Sequence, residues 1–271
     1  GLFSPDNEST IIDATGSDHV FGFLCRFDFE DRDVRVISSS ILANGAYGVV
    51  LVEGGGRNPR LDDLNAYLLG QSTVNESVAK WLDIERNSEH VGVMLGLGCA
   101  SPTFQLGDHL VMAQAANTVA VLHENVEASE SGAIYLNNYS KSGRILLTQK
   151  FGVPPIRELL AVNESEWSIR IPDDQIEKMR AHRANAAPNE TGGYIYGTWD
   201  LNDHSIVVAL VTDPPKKADG SPIGLDLSPA GMSQPERELL AATGGRLMPL
   251  GTWHSHPGES AQPSAIDEAT Y

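Results

Sequence analysis

Apolar and polar positions divide the chain into short β-rich runs separated by segments of helical period. Thr10-Ile11-Ile12-Asp13-Ala14-Thr15-Gly16 is an apolar run ending at an acid and a glycine, the way a strand in an α/β sheet delivers a polar group to its carboxyl edge. Residues 19–29 are mixed and begin helically, while 34–39 and 47–53 are β-rich. Within the latter, Val49-Val50-Leu51-Val52 predicts a buried strand. Gly54-Gly55-Gly56-Arg57-Asn58-Pro59 reads as a turn, and the lack of a following Lys-Ser/Thr argues against a phosphate loop. Residues 61–69 and 74–83 have the period of amphipathic helices, and 91–97 is a further apolar run. A tight turn at Gly98-Cys99-Ala100-Ser101-Pro102-Thr103-Phe104 precedes an alanine-rich helix over 106–124. That helix is apolar around much of its circumference, which predicts burial on all sides. His123-Glu124 begins a zincin-like motif, but Glu127 stands where the second histidine belongs.

The second half repeats the alternation after a polar interval. Residues 126–144 are rich in Ser, Glu and Asn around Ala133-Ile134-Tyr135-Leu136, which could be a strand, and Pro154-Pro155 breaks any regular element. Trp167-Ser168-Ile169-Arg170-Ile171 alternates like a half-buried strand. A helix is expected from Pro172-Asp173-Asp174 to about residue 184, then paired strands at 194–199 and 205–213 joined by Leu201-Asn202-Asp203. Residues 214–231 read as a long Pro/Gly/Lys/Asp loop suited to contacting a substrate. A helix over 234–243 starts with Pro235, and 247–253 predicts a buried strand. The expected order from residue 167 is β-α-β-β-loop-α-β-α.

Charge and cysteine content narrow the partners. The 271 residues carry a net charge of −17, which argues against nucleic-acid binding and anionic membranes. Two cysteines, Cys25 and Cys99, make no disulfide framework, so a reducing cytoplasm is expected. No 18-residue apolar run suggests a membrane span. The initial Gly1 is not a natural start, and only four residues follow Asp267; the chain is expected to be truncated at both ends.

The chemistry concentrates near the end of the chain. His254 and His256 are two apart at a strand end, so both imidazoles project from one face, and Pro257 ends the ladder. Ser264-Ala265-Ile266-Asp267 has the form of a helix capping box, which puts Asp267 in a first helical turn. Two imidazoles and one carboxylate are the donor set of a catalytic zinc site with an open fourth position. His182 and His204 lie in polar surroundings and are expected to be solvated.

The run His254-Ser255-His256-Pro257, six residues, Ser264, two residues, Asp267 resembles the JAMM signature of the JAB1/MPN/Mov34 metalloproteases. Glu190-Thr191-Gly192-Gly193-Tyr194-Ile195-Tyr196-Gly197 looks like the upstream glutamate segment of that family. The resemblance implies Zn2+ held by His254, His256 and Asp267, catalysis by Glu190 and Ser264, and removal of ubiquitin or a ubiquitin-like protein from its conjugates. A non-catalytic MPN scaffold, and a hydrolase of a sulfur-carrier adduct, remain as alternatives.

The first 125 residues hold a second resemblance, carried by residues 11–16, the turn at 98–104 and the following helix. These look like the later half of a ThiF/E1-type adenylating domain, in which the Asp13 position helps hold ATP and Mg2+. Its glycine-rich nucleotide loop is lacking here. Cys25 and Cys99 are then candidate thioester thiols, beside the reading as small buried residues. The expected fold is α/β: a partial Rossmann-like ThiF/E1-type region at 1–126, a connecting region at 127–163, and an MPN domain with a central mixed sheet at 164–271.

Overall fold

The computed structural model describes residues 9–29, 34–87, 108–125, 131–139, 145–160, 166–215, 218–222, 224–227 and 234–256. In chain order the elements are β1 (Ser9–Asp13), α1 (Asp18–Arg26), β2 (Val34–Leu42), β3 (Tyr47–Val52), α2 (Leu61–Gly70), α3 (Glu76–Asn87), α4 (Asp108–Asn125), β4 (Gly132–Tyr139), β5 (Leu146–Val153) and β6 (Ile156–Leu160). They continue with β7 (Ser168–Pro172), α5 (Asp173–Ala186), β8 (Gly192–Asp200), β9 (Ser205–Val211), β10 (Asp219–Ser221), β11 (Gly224–Asp226), α6 (Gln234–Ala242) and β12 (Met248–His254).

Two five-stranded sheets carry the fold, in the orders β1-β2-β3-β4-β5 and β12-β8-β9-β7-β6, and β10 and β11 form a separate hairpin. The first sheet is mixed: β1 and β2 are parallel, and the remaining pairs are antiparallel. Only a single turn of 3-10 helix at Ala43–Gly45 separates β2 from β3, too short for the crossover that parallel strands need. The parallel, doubly wound arrangement of a Rossmann-like region is therefore absent from the described residues. The second sheet is mixed as well, with β7 and β9 parallel and the other pairs antiparallel.

Helix α2 lies where the two sheets meet. Eight of its ten residues are buried, which leaves no amphipathic stripe because both sides have a partner. One apolar cluster joins Val36, Val49, Leu51 and Ile134 of the first sheet, Leu61, Leu64 and Leu68 of α2, and Tyr196, Val207 and Ala209 of the second sheet. Each fully buried leucine contributes roughly 1.5–3 kcal/mol. The start of α2 is held by polar groups: Asp63 accepts from the Arg60 N–H at 2.8 Å, and the buried Glu53 accepts from the Leu61 N–H at 3.0 Å. Arg57 donates to both oxygens of the same Glu53. The arginine of the glycine-rich turn thus serves the fold.

The interval after α4 is more regular than its polar composition implies. Strands β4 and β5 complete the first sheet, and β6 opens the second, with the Pro154-Pro155 break between them. Helix α4 also departs from expectation. Met112 is 71% exposed and Val119 53% exposed, while Gln114 and Asn125 are buried. The side of α4 toward the sheet bonds through polar groups: Gln114 donates to the Gly45 carbonyl at 3.3 Å, Thr118 lies 3.0 Å from the Ser39 hydroxyl, and Asn125 donates to the Tyr135 hydroxyl at 3.0 Å. Residues 114, 118, 121 and 125 recur at helical spacing and form that face.

Candidate functional site

The site is assembled by the β8–β12 ladder. The two strands are antiparallel, with Trp253 opposite Gly193 and His254 opposite Gly192. Beyond the last ladder pair, the Ser255 N–H donates to the Thr191 carbonyl at 2.8 Å, and the Thr191 N–H donates to the Ser255 hydroxyl at 3.2 Å. This register places Glu190 across from His256. Alternation along β12 turns Trp253 inward, into a cluster with Ile171, Val208 and Val211. His254 and His256 consequently share the opposite face.

Gly193 allows that close packing. A Cβ there would lie 2.7 Å from the Thr212 carbonyl oxygen and 2.9 Å from the Trp253 indole nitrogen. The Trp253 indole in turn donates to the Thr212 carbonyl at 3.4 Å, anchoring the strand that bears the histidines.

The Nε2 atoms of His254 and His256 stand 2.9 Å apart, and the two ring centroids are separated by 4.7 Å. Two bare lone pairs at that distance repel, so a proton on one nitrogen, or a cation between them, is what makes the approach favourable. The Glu190 carboxylate lies 3.7 Å from His256 Nδ1 and its side chain is only 9% exposed. Two imidazoles and a largely buried carboxylate therefore meet at one strand end.

The other expected residues sort clearly by place. Ser264, Asp267 and Cys99 lie outside the described residues. Asp13 sits at the carboxyl end of β1, where Oδ1 accepts from the Thr15 N–H at 3.0 Å and its hydroxyl at 2.7 Å, and Oδ2 accepts from Ser38 at 3.2 Å. Those bonds close a local turn. Cys25 is buried, and burial, followed by the Asp62 and Glu53 charges, pushes its thiol far up, which makes it a poor nucleophile. His182 and His204 are each paired with a carboxylate, Asp213 at 3.1 Å and Glu166 at 3.4 Å. Neither joins His254 and His256.

The two imidazoles are donors of a type that zinc accepts. Two imidazole nitrogens bound at about 2.0–2.1 Å in tetrahedral geometry would stand about 3.3 Å apart, wider than the 2.9 Å separation here, so the rings would part slightly to take a metal. Among the described residues no group of three or more His, Cys, Asp or Glu could hold a metal ion, and the expected third donor, Asp267, is not one of them. Thr191, Ser255 and Ser221 were not singled out by sequence. Thr191 and Ser221 act through their backbone, for which side-chain type gives little signal, and Ser255 through both its backbone and its hydroxyl.

Comparison with known proteins agrees with this location. Residues 172–271 match the family model described as prokaryotic homologs of the JAB domain. A protein of Escherichia coli (strain TW11681), named CD-NTase/cGAS isopeptidase, is 22% identical over 113 residues, covering 41% of this chain and 71% of that protein. Glu190, His254 and His256 thus all fall within the stretch that matches the model of prokaryotic JAB-domain homologs.

Proposed function

We propose that the chain is a zinc-dependent isopeptidase of the JAB type, which hydrolyses the bond between the C-terminal carboxyl of a ubiquitin-like protein and an amine of its conjugate. The observation that carries the reading is the convergence of the His254 and His256 Nε2 atoms at 2.9 Å beside the Glu190 carboxylate. The isopeptidase name of the E. coli relative supports a conjugated protein as the substrate class.

His254, His256 and Asp267 would hold the metal. A bound zinc lowers the pKa of water toward about 7 and polarises a carbonyl. Glu190 accepts the proton of the attacking water at its carboxylate and returns it to the departing amine, a general-base and then general-acid role. Burial keeps the Glu190 carboxylate in one position, which favours that transfer over exchange with bulk solvent. Ser264 donates its hydroxyl hydrogen to the developing oxyanion. Ser255 and Thr191 keep the two strand ends in register.

The test is cleavage by the zinc-loaded full-length protein of a panel of ubiquitin-like proteins carrying C-terminal amide fusions. Release of the fused amine by the wild-type protein, abolished by chelation and restored by zinc, is expected. A metal-loaded protein that cleaves no member of the panel would favour a non-catalytic scaffold.

A further inference from the structure

The β10–β11 hairpin lies in the segment that sequence marks as a loop, and it contacts the glutamate segment at three places. The Glu190 N–H donates to the Ser221 carbonyl at 2.9 Å. Gly220 lies so close to Glu190 that a Cβ there would stand 2.1 Å from the Glu190 carbonyl oxygen. Leu225 covers Gly192, where an added Cβ would meet its Cδ2 at 2.7 Å. The backbone of residues 190–192 is therefore held on one side by the β12 end that carries the histidines, and on the other by the hairpin.

We propose that this hairpin is the positioning element for Glu190, with Gly220, Ser221 and Leu225 setting where its carboxylate sits relative to His254 and His256. The proposal rests on Glu190 being the proton carrier of the reading above. Glu190 precedes β8, so the ladder alone fixes it only through Thr191. The hairpin supplies a second backbone bond at Glu190 itself and a close contact that only glycine permits. Anything that shifts the hairpin, including a substrate lying against it, is transmitted to the Glu190 backbone.

Three variants of the full-length zinc-loaded protein test this, using the ubiquitin-like amide fusion that the wild type cleaves best. Gly220→Ala forces the hairpin and Glu190 apart, and kcat should fall by at least about tenfold with KM within about twofold, since a small misplacement of a reacting group has an effect of that size. Leu225→Ala removes the packing on Gly192 without a clash and should lower kcat by about threefold. Gly224→Ala is the control, because a Cβ there meets only the Ser221 hydroxyl at 3.9 Å, and it should behave as wild type. Zinc content should stay unchanged in all three, and each should remain folded at the assay temperature, with a lowered melting temperature expected for Gly220→Ala and Leu225→Ala but not for Gly224→Ala. Independently of activity, amide hydrogen exchange should show the Glu190 N–H protected in the wild type and in Gly224→Ala, and unprotected in Gly220→Ala.

A raised KM with kcat preserved would make the hairpin a substrate contact alone and overturn the proposal, as would an unprotected Glu190 amide in the wild type. A wild type that cleaves while Gly220→Ala matches it defeats only this inference. A wild type that cleaves nothing defeats the functional reading and the inference with it.

Discussion

Replacing Asp63 with asparagine tests how α2 is fastened to the second sheet. Arg170 of β7 is 3% exposed and bridges to Asp62 and to Asp63, which is itself 2% exposed. Arg170 and Arg60 both favour the ionised Asp63, but they do not offset its burial and the Asp62 charge, so an ionised Asp63 is a surplus charge in a buried place. Burial first, and the Asp62 charge second, push the Asp63 carboxyl from 3.8 to about 7. Burial opposes the Arg170 charge, but Asp62 and Asp63 overcome it and hold the guanidinium protonated. In the unfolded chain Asp63 titrates near its ordinary value, so between about pH 4 and pH 7 the folded state binds the extra proton. Stability from this group is present below that window and is lost as pH rises through it. About three pH units at about 1.4 kcal/mol each bound the effect at about 4 kcal/mol. Asparagine keeps an oxygen for the Arg60 N–H and removes the surplus charge. Thermal unfolding of both proteins from pH 4.5 to pH 8 should show the variant gaining on wild type as pH rises, by several degrees at the alkaline end. A difference between the two that does not change with pH would refute the reasoning.

The core and the site make further predictions. Leu68→Ala, at a fully buried position of α2, should destabilise by about 2–5 kcal/mol. Because α2 packs on both sheets, denaturant unfolding followed by tryptophan fluorescence should still show one transition, and two separated transitions would contradict a shared core. Gly193→Ala should destabilise by about 1–3 kcal/mol through overpacking against Thr212 and Trp253, measured by the same titration. Glu190→Gln should retain zinc and lose about 100- to 10,000-fold in kcat; activity within a few-fold of wild type would remove Glu190 from the mechanism.

Much of the fold was legible because its elements are locally consistent. The β-rich runs at 34–39 and 47–53 became β2 and β3, and the strands on either side of Leu201-Asn202-Asp203 became β8 and β9. The histidine pair was legible from strand alternation alone, and the two rings lie together in the fold. What was hidden depends on contacts distant in sequence. Helix α4 looks apolar by composition, but the face toward the sheet is its amide-bearing stripe, since it meets Ser39, Gly45 and Tyr135. Strands β5 and β6 sat in a stretch read as a connection, because edge strands expose most of their side chains and carry a weak alternation. The Rossmann-like reading finds no support: β1 and β2 are parallel, but β2 to β5 run antiparallel, and a run that ends in an acid says nothing about how its neighbours are oriented. The β10–β11 hairpin was masked by its proline and glycine content, and its value lies in backbone bonds to Glu190.

Whether His254 and His256 hold a catalytic metal beside Glu190 is read from zinc content. Full-length protein purified without chelator, and the His254→Ala and His256→Ala variants prepared in parallel, would be assayed by elemental mass spectrometry. About one zinc per wild-type chain is expected, with a near-complete loss in either variant that remains folded. Equal zinc in wild type and variants, or a folded wild type that takes up no zinc when it is supplied, would contradict it.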